Sequence, residues 1–190
     1  MTTPGFSLFD TAIGRCAIAW GDRGIYGVQL PEASDRATCQ RLRRPGGAQE
    51  APPPPHVQCA IDAVVALMEG RRSEPDTLGL VLLDMEDVPL FNRRVYEVTR
   101  AIAPASTLTY GEVAARIGEP GAARAVGQAL GHNPFAPIVP CHRVLAAGSR
   151  AGGFSARGGV STKLRMLLIE GAAFGAPGLF DAPSLKQSGL

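Results

Sequence analysis

Apolar residues recur every three or four positions in "VQCAIDAVVALMEG" (57–70), which closes on Gly70, and the spacing predicts a helix. In "PLFNRRVYEVTRAI" (89–102) the same spacing sets Phe91, Val95 and Val98 on one stripe, with Pro89 suited to a first helical position. "IGRCAIAW" and "IYGVQL" read instead as two short strands, and "GDRG" between them as the turn of a hairpin. The apolar run "LGLVLLD" (78–84) reads as a further strand. "RATCQRLRRPGGAQEAPPPPH" (36–56) has no period and reads as a surface connection, extended at its four prolines. A boundary near residue 86 divides the chain into parts 1–86 and 87–174. Residues 175–190, "GAPGLFDAPSLKQSGL", read as a loosely ordered tail.

Downstream of the boundary, "TYGEVAARIG" is a short amphipathic helix ending at Gly118, and "GAARAVGQALGHNP" a second one, stopped by Gly131 and Asn133-Pro134. Two short helices so close together fit a helix-turn-helix, although the spacing by itself favours a plain packing unit. On the second helix Ala122, Val126, Ala129 and Leu130 form the core stripe. Arg124, Gly127, Gln128 and Gly131 share the opposite face. Glycine costs about 1 kcal/mol of helix stability against alanine, so a glycine-bearing face needs a reason. Close approach of another backbone supplies one, either in a nucleic-acid groove with Arg124 reaching inward or against the other half of the protein.

Charge sharpens the first alternative. Residues 110–165 hold seven basic side chains and two acidic ones, whereas the remaining chain carries 12 basic and 15 acidic. That local excess suits a polyanionic partner. At 190 residues and 45% hydrophobic, the chain has enough apolar sequence for a real core. No apolar run is long enough to span a bilayer, and "MTTPGFSLFD" lacks the pattern of a secretory signal; a cytoplasmic protein is expected. Cys16, Cys39, Cys59 and Cys141 are widely spaced, which argues against a disulfide framework or a zinc ribbon.

"IVPCHRVLAAG" (138–148) concentrates the chemistry. Pro134, Pro137 and Pro140 restrict the chain ahead of Cys141 and hold the thiol on a stiff strut. A thiol is mostly protonated at neutral pH and needs a base or cation to act as a nucleophile. His142 is adjacent, but neighbouring side chains diverge, so a bridging water is the expected link. Glu170, at the end of "STKLRMLLIEG", sits where the helix dipole disfavours a carboxylate and is a candidate to orient the imidazole. Taken singly, Cys141 also fits a buried inert thiol and His142 a satisfied core histidine.

Together, "ARAVGQALGHNPFAPIVPCHRVL" and "GGFSARGGVSTKLRMLLIEGA" resemble the O6-alkylguanine-DNA alkyltransferases, the methylated-DNA-protein-cysteine methyltransferases. Pro-Cys-His-Arg-Val is that family's active-site motif. The resemblance is strong over residues 89–173 and fainter over 6–86. It implies an α/β protein with a small ribonuclease H-like antiparallel sheet domain and a winged-helix-like helix-turn-helix domain. It implies a minor-groove face of Ala123, Arg124, Gly127, Gln128 and Tyr110, with Arg124 filling the gap left by a base flipped from the stack. Cys141 is then the alkyl acceptor, His142 the base acting through water and Glu170 its orienting carboxylate. Asn133 ties the recognition helix to the active-site turn, and Tyr110 is the proton donor. Pro140, Arg143, Val144, Phe154 and Ser155 form the substrate pocket.

The implied partner is double-stranded DNA carrying O6-alkylguanine, bound without sequence preference by a monomer. No cofactor and no metal are implied, since the damaged DNA is itself the alkyl donor. Phe154 stands where some members carry tyrosine, and "SARGGVSTK" is longer than in some members. Other readings are a non-catalytic lesion binder, which lacks the cysteine, a thiol redox sensor needing a resolving cysteine, a cysteine peptidase, and a zinc protein using Cys141, His142 and His132.

Overall fold

The computed structural model describes residues 3–42, 47–71, 77–148 and 150–172. The tail expected over 175–190 lies outside them. Strands β1 (Gly5–Thr11), β2 (Gly14–Gly21) and β3 (Gly24–Gln29) pair antiparallel in succession. β2 and β3 are the expected hairpin. β1, which no periodicity in the sequence marks, pairs with β2 along its whole length, from Gly5 opposite Trp20 to Thr11 opposite Gly14. Gly24 takes a positive φ of 116°, and a Cβ there would lie 2.6 Å from the Leu82 carbonyl oxygen, so the turn requires glycine twice over.

The described residues of the 36–56 connection are more ordered than its composition suggests. Its start lies in α1 (Asp35–Gln40), where Ser34 Oγ accepts from Ala37 N at 3.2 Å, and it includes β4 (Gln49–Glu50), parallel to β1. The sheet order is therefore β3-β2-β1-β4. Elements of six and two residues are too short to show a period. Helix α2 (Pro55–Met68) begins at the last of the four prolines and buries Val57, Ile61, Val64 and Met68.

The strand expected over 78–84 does not form. Its start is a short helix, α3 (Thr77–Leu80), and its end makes only a bridge, with Ile25 N donating to Leu82 O and Asp84 N to Ile25 O. Leu80 and Leu82 are 79% and 67% exposed, so the run is not a buried strand. A continuous apolar stretch carries no phase to distinguish these outcomes.

The C-terminal part is mainly helical: α4 (Leu90–Arg100), β5 (Leu108–Thr109), α5 (Tyr110–Arg116), α6 (Ala123–Gly131), a 3-10 turn at Cys141–Arg143, β6 (Val144–Leu145) and α7 (Val160–Ile169). Thr109 and Glu112 form a reciprocal capping box that fixes the start of α5. Tyr96 Oη donates to Ala129 O at 2.9 Å and ties α4 to α6, while Val28 N donates to Pro134 O at 2.8 Å and ties β3 to the segment leading to the thiol. Residue 86 lies in a turn, and one hydrophobic cluster joins Trp20, Ile25 and Val64 to Val95, Val126, Phe135 and Met166. The fold is mixed α/β, a small, mostly antiparallel sheet beside a helical C-terminal part. Among the described residues no helix is long and apolar enough to cross a membrane.

Candidate active site and nucleic-acid face

Three elements bring the chemistry together. The prolines deliver Cys141 and His142 to the 3-10 turn, α7 delivers Glu170 at its C-cap, and the end of α6 delivers Asn133. Cys141, His142 and Glu170 are all buried. His142 Nε2 lies 2.8 Å from Glu170 Oε1. Facing a carboxylate, Nε2 carries the proton and donates, which leaves Nδ1 with its lone pair. Nδ1 is buried without a hydrogen-bond partner among the described residues.

Arg143 enters this network rather than the pocket. Its Nε donates to Glu170 Oε2 and its Nη2 to Glu170 Oε1, both at 2.9 Å, and Nη1 bonds the Ile102 carbonyl. The sequence expectation of a pocket role for this side chain is corrected: a long cationic side chain buried beside a carboxylate is drawn to the counter-charge. Burial alone raises the Glu170 pKa, but hydrogen bonds from His142 and Arg143 outweigh it and hold the carboxyl at about 2. Burial lowers the pKa of His142, against the pull of Glu170, which favours the neutral imidazole. Burial raises the Cys141 thiol, opposed by the Asn133 side chain and by the charge of Lys163.

Asn133 braces the turn. Its Nδ2 donates to Val139 O at 2.8 Å and its Oδ1 accepts from Phe135 N at 3.0 Å. Cys141, Asn133, Phe154 and Ser155 line one cavity of about 270 Å³, whereas Tyr110, Pro140 and Val144 lie outside its lining. Tyr110 is nevertheless close. Burial and the nearby thiol raise its pKa, and its hydroxyl makes only a long contact, 3.5 Å, to Gly153 O.

Lys163, one of the basic residues of 110–165, belongs to the site as well. It is fully buried, its Nζ donates to Val144 O at 2.6 Å and Gly153 O at 3.3 Å, and it lies 5.6 Å from the centre of the Tyr110 ring. Burial drives its pKa down to about 8, with the charge of Cys141 pulling the other way. Its signal in the sequence was a cation in α7 three positions before Met166 and four before Leu167, on the buried stripe, unlike Arg165 two positions on.

On α6, Arg124 and Gln128 are exposed, and Ala123 and Gly127 half-buried. A Cβ at Gly127 would meet the Tyr110 ring at an ordinary 3.8 Å, and one at Gly131 would meet nothing within 4 Å. Protein packing therefore demands glycine at neither position. The alternative of a glycine face pressed on the other half fails, and a small-residue surface with one projecting arginine remains. Among the described residues Arg124 has no ion-pair partner.

Residues 90–172 match the family model for the 6-O-methylguanine DNA methyltransferase DNA-binding domain. The chain is 34% identical to a methylated-DNA–protein-cysteine methyltransferase of Methanothermobacter thermautotrophicus, over 82% of this chain and 79% of that protein. It is 40% identical to the protein of the same name from Mycobacterium tuberculosis, over 87% and 91% of the two chains. The fold superposes on the crystal structure of Mycobacterium tuberculosis OGT in complex with DNA with a TM-score of 0.70, at 33% identity, covering 87% of this chain and 92% of the other.

Proposed function

Because the chain belongs to the methylated-DNA–protein-cysteine methyltransferases, enzymes of direct-reversal DNA repair by alkyl transfer, we propose that Cys141 takes the alkyl group of O6-alkylguanine in DNA. The observation that carries the assignment is the His142–Glu170 bond, which leaves the Nδ1 lone pair free as a buried base on the residue next to the thiol. His142 withdraws the thiol proton through a bridging water. Glu170 and Arg143 hold the imidazole in that tautomer, and Lys163 stabilises the thiolate as it forms.

The thiolate attacks the alkyl carbon in line with the departing oxygen. A carbon–sulfur bond forms as the carbon–oxygen bond breaks, and the electron pair of the broken bond stays on guanine. Tyr110, kept protonated by its raised pKa, donates a proton to the departing base, with Lys163 beside its ring to stabilise the charge left behind. One proton leaves the thiol and one enters guanine, so no cofactor is required. The thioether is stable to water, and each chain acts once.

In this reading the α6 face enters the minor groove of duplex DNA and Arg124 fills the space of the flipped nucleotide. Val144 and Ser155 offer backbone groups to the base edge, while the ring of Phe154 and Pro140 shape the pocket. The protein acts as a monomer in the cytoplasm, and residues 87–174 form the alkyltransferase part. Stoichiometry tests the core of this reading. With lesion in tenfold excess, repair should stop at one equivalent per chain; continued turnover would overturn the acceptor role of Cys141.

A further inference from the structure

One wall of the thiol cavity belongs to the N-terminal half and has no part in the transfer chemistry. Opposite Cys141 and Phe154, the cavity is bounded by Val28, Leu30, Glu32 and Arg41. Of the groups assigned to the base, Ser155 lines this cavity while Tyr110 and Val144 lie outside its lining, so the space runs from the base edge past the thiol towards the N-terminal half. At about 270 Å³ it is several times what a methyl group fills, given roughly 30 Å³ for a water molecule in the liquid.

Glu32 organises that wall. Its side chain is only 15% exposed, and Oε1 lies 3.4 Å from Arg41 Nε and accepts from Gln29 Nε2 at 3.3 Å. Its backbone N–H donates to Thr38 Oγ1 at 3.1 Å, and its carbonyl accepts from Arg157 Nη1 at 3.3 Å. One residue thus links the end of β3, the end of α1 and the loop that carries Phe154 and Ser155. Arg41, Gln29 and His132 also line a neighbouring cavity of about 530 Å³, whose other walls include the aromatic residues Tyr26, Tyr96 and Phe135. These three side chains form the partition between the two spaces.

We propose that Arg41, anchored by Glu32, determines the length of O6 substituent the protein accepts, and that extended aryl groups pass this partition into the aromatic-walled cavity. The inference rests on alkyl transfer to Cys141. Arg41 is the movable member of the wall: its side chain is 64% exposed and, among the described residues, its one ion pair is from Nε to Glu32. On this proposal a methyl or benzyl group ends short of it, whereas a biaryl group meets the guanidinium. Removal of the side chain should therefore favour only the longest substrate.

The test compares single-turnover rates for a duplex carrying O6-methylguanine and for free O6-benzylguanine and O6-(4-phenylbenzyl)guanine. Arg41→Ala should react about tenfold faster than wild type with the phenylbenzyl compound and within about twofold with the other two, the scale on which pocket contacts discriminate substrates. Glu32→Gln, which loosens the anchor, should shift selectivity the same way, and Arg41→Trp the opposite way. Unchanged selectivity in Arg41→Ala, or equal acceleration on all three substrates, would overturn the role of Arg41. Wild-type protein unreactive with the methylated duplex would instead remove the alkyl-transfer reading itself.

Discussion

Glu170→Gln probes the buried network because Glu170 serves two cations at once. In the folded protein its carboxyl titrates at about 2, against an ordinary 4.5. Since the folded value is the lower, the stabilisation is fully present above pH 4.5 and is lost as the pH falls towards 2. That difference corresponds to about 3 kcal/mol. The amide does more harm than a proton alone, because Arg143, 5% exposed, keeps its charge and loses its counter-ion. Breaking one side of a buried pair costs about 3–5 kcal/mol. At about 2–4 °C per kcal/mol for a chain of this size, the melting temperature at pH 7 should fall by about 6–20 °C. Adding Arg143→Met should restore much of the loss, since an apolar replacement of both partners removes the stranded charge. Thermal melts of wild type, both single variants and the double variant at pH 7 and pH 3 measure this. A Glu170→Gln melt within about 2 °C of wild type at pH 7, or no recovery in the double variant, would refute the reasoning.

Other consequences follow from single contacts. Lys163→Gln removes the cation that holds the Cys141 thiol down, so alkylation of Cys141 by iodoacetamide should slow about tenfold at pH 7.5 and its pH profile should move upward; an unmoved profile would contradict the role. Arg124→Ala should reduce repair of O6-methylguanine in duplex DNA about tenfold or more, while reaction with free O6-benzylguanine, which needs no flipping, stays within about twofold. Equal losses on both would exclude the finger role. Asn133→Ala leaves Val139 O and Phe135 N without these partners and should destabilise the fold by about 1–3 kcal/mol, read by denaturant titration at constant m-value.

The sequence was most legible where a period or a cap ran long enough to repeat. Helices α2, α4, α5 and α6 stand where apolar spacing, with a terminal glycine or a leading proline, placed them. The run 78–84 misled because uniform leucine and valine show composition without phase. β4 owes its place to a tertiary partner, β1, which no two-residue segment announces. Within the site, Glu170 was visible as a carboxylate at a helix C-terminus, and Cys141 and His142 through the resemblance carried by Pro-Cys-His-Arg-Val. Arg143 was assigned to the wrong side because a motif gives adjacency along the chain, whereas the 3-10 turn sends successive side chains apart. Lys163 was hidden for the opposite reason: a lysine in a helix ordinarily reads as surface, and only the fold shows it sealed beneath Tyr110 with its charge facing the thiol.

The central claim is that Cys141 accepts the alkyl group irreversibly, and intact mass measures it most directly. The protein is incubated with a duplex oligonucleotide carrying one O6-methylguanine, with Cys141→Ala in parallel, and the product is mapped by peptide fragmentation. The account predicts a gain of one methyl group per chain, located on Cys141 and absent from the variant. No mass gain in wild type despite tight binding to the lesion, or methylation at another residue, would contradict it.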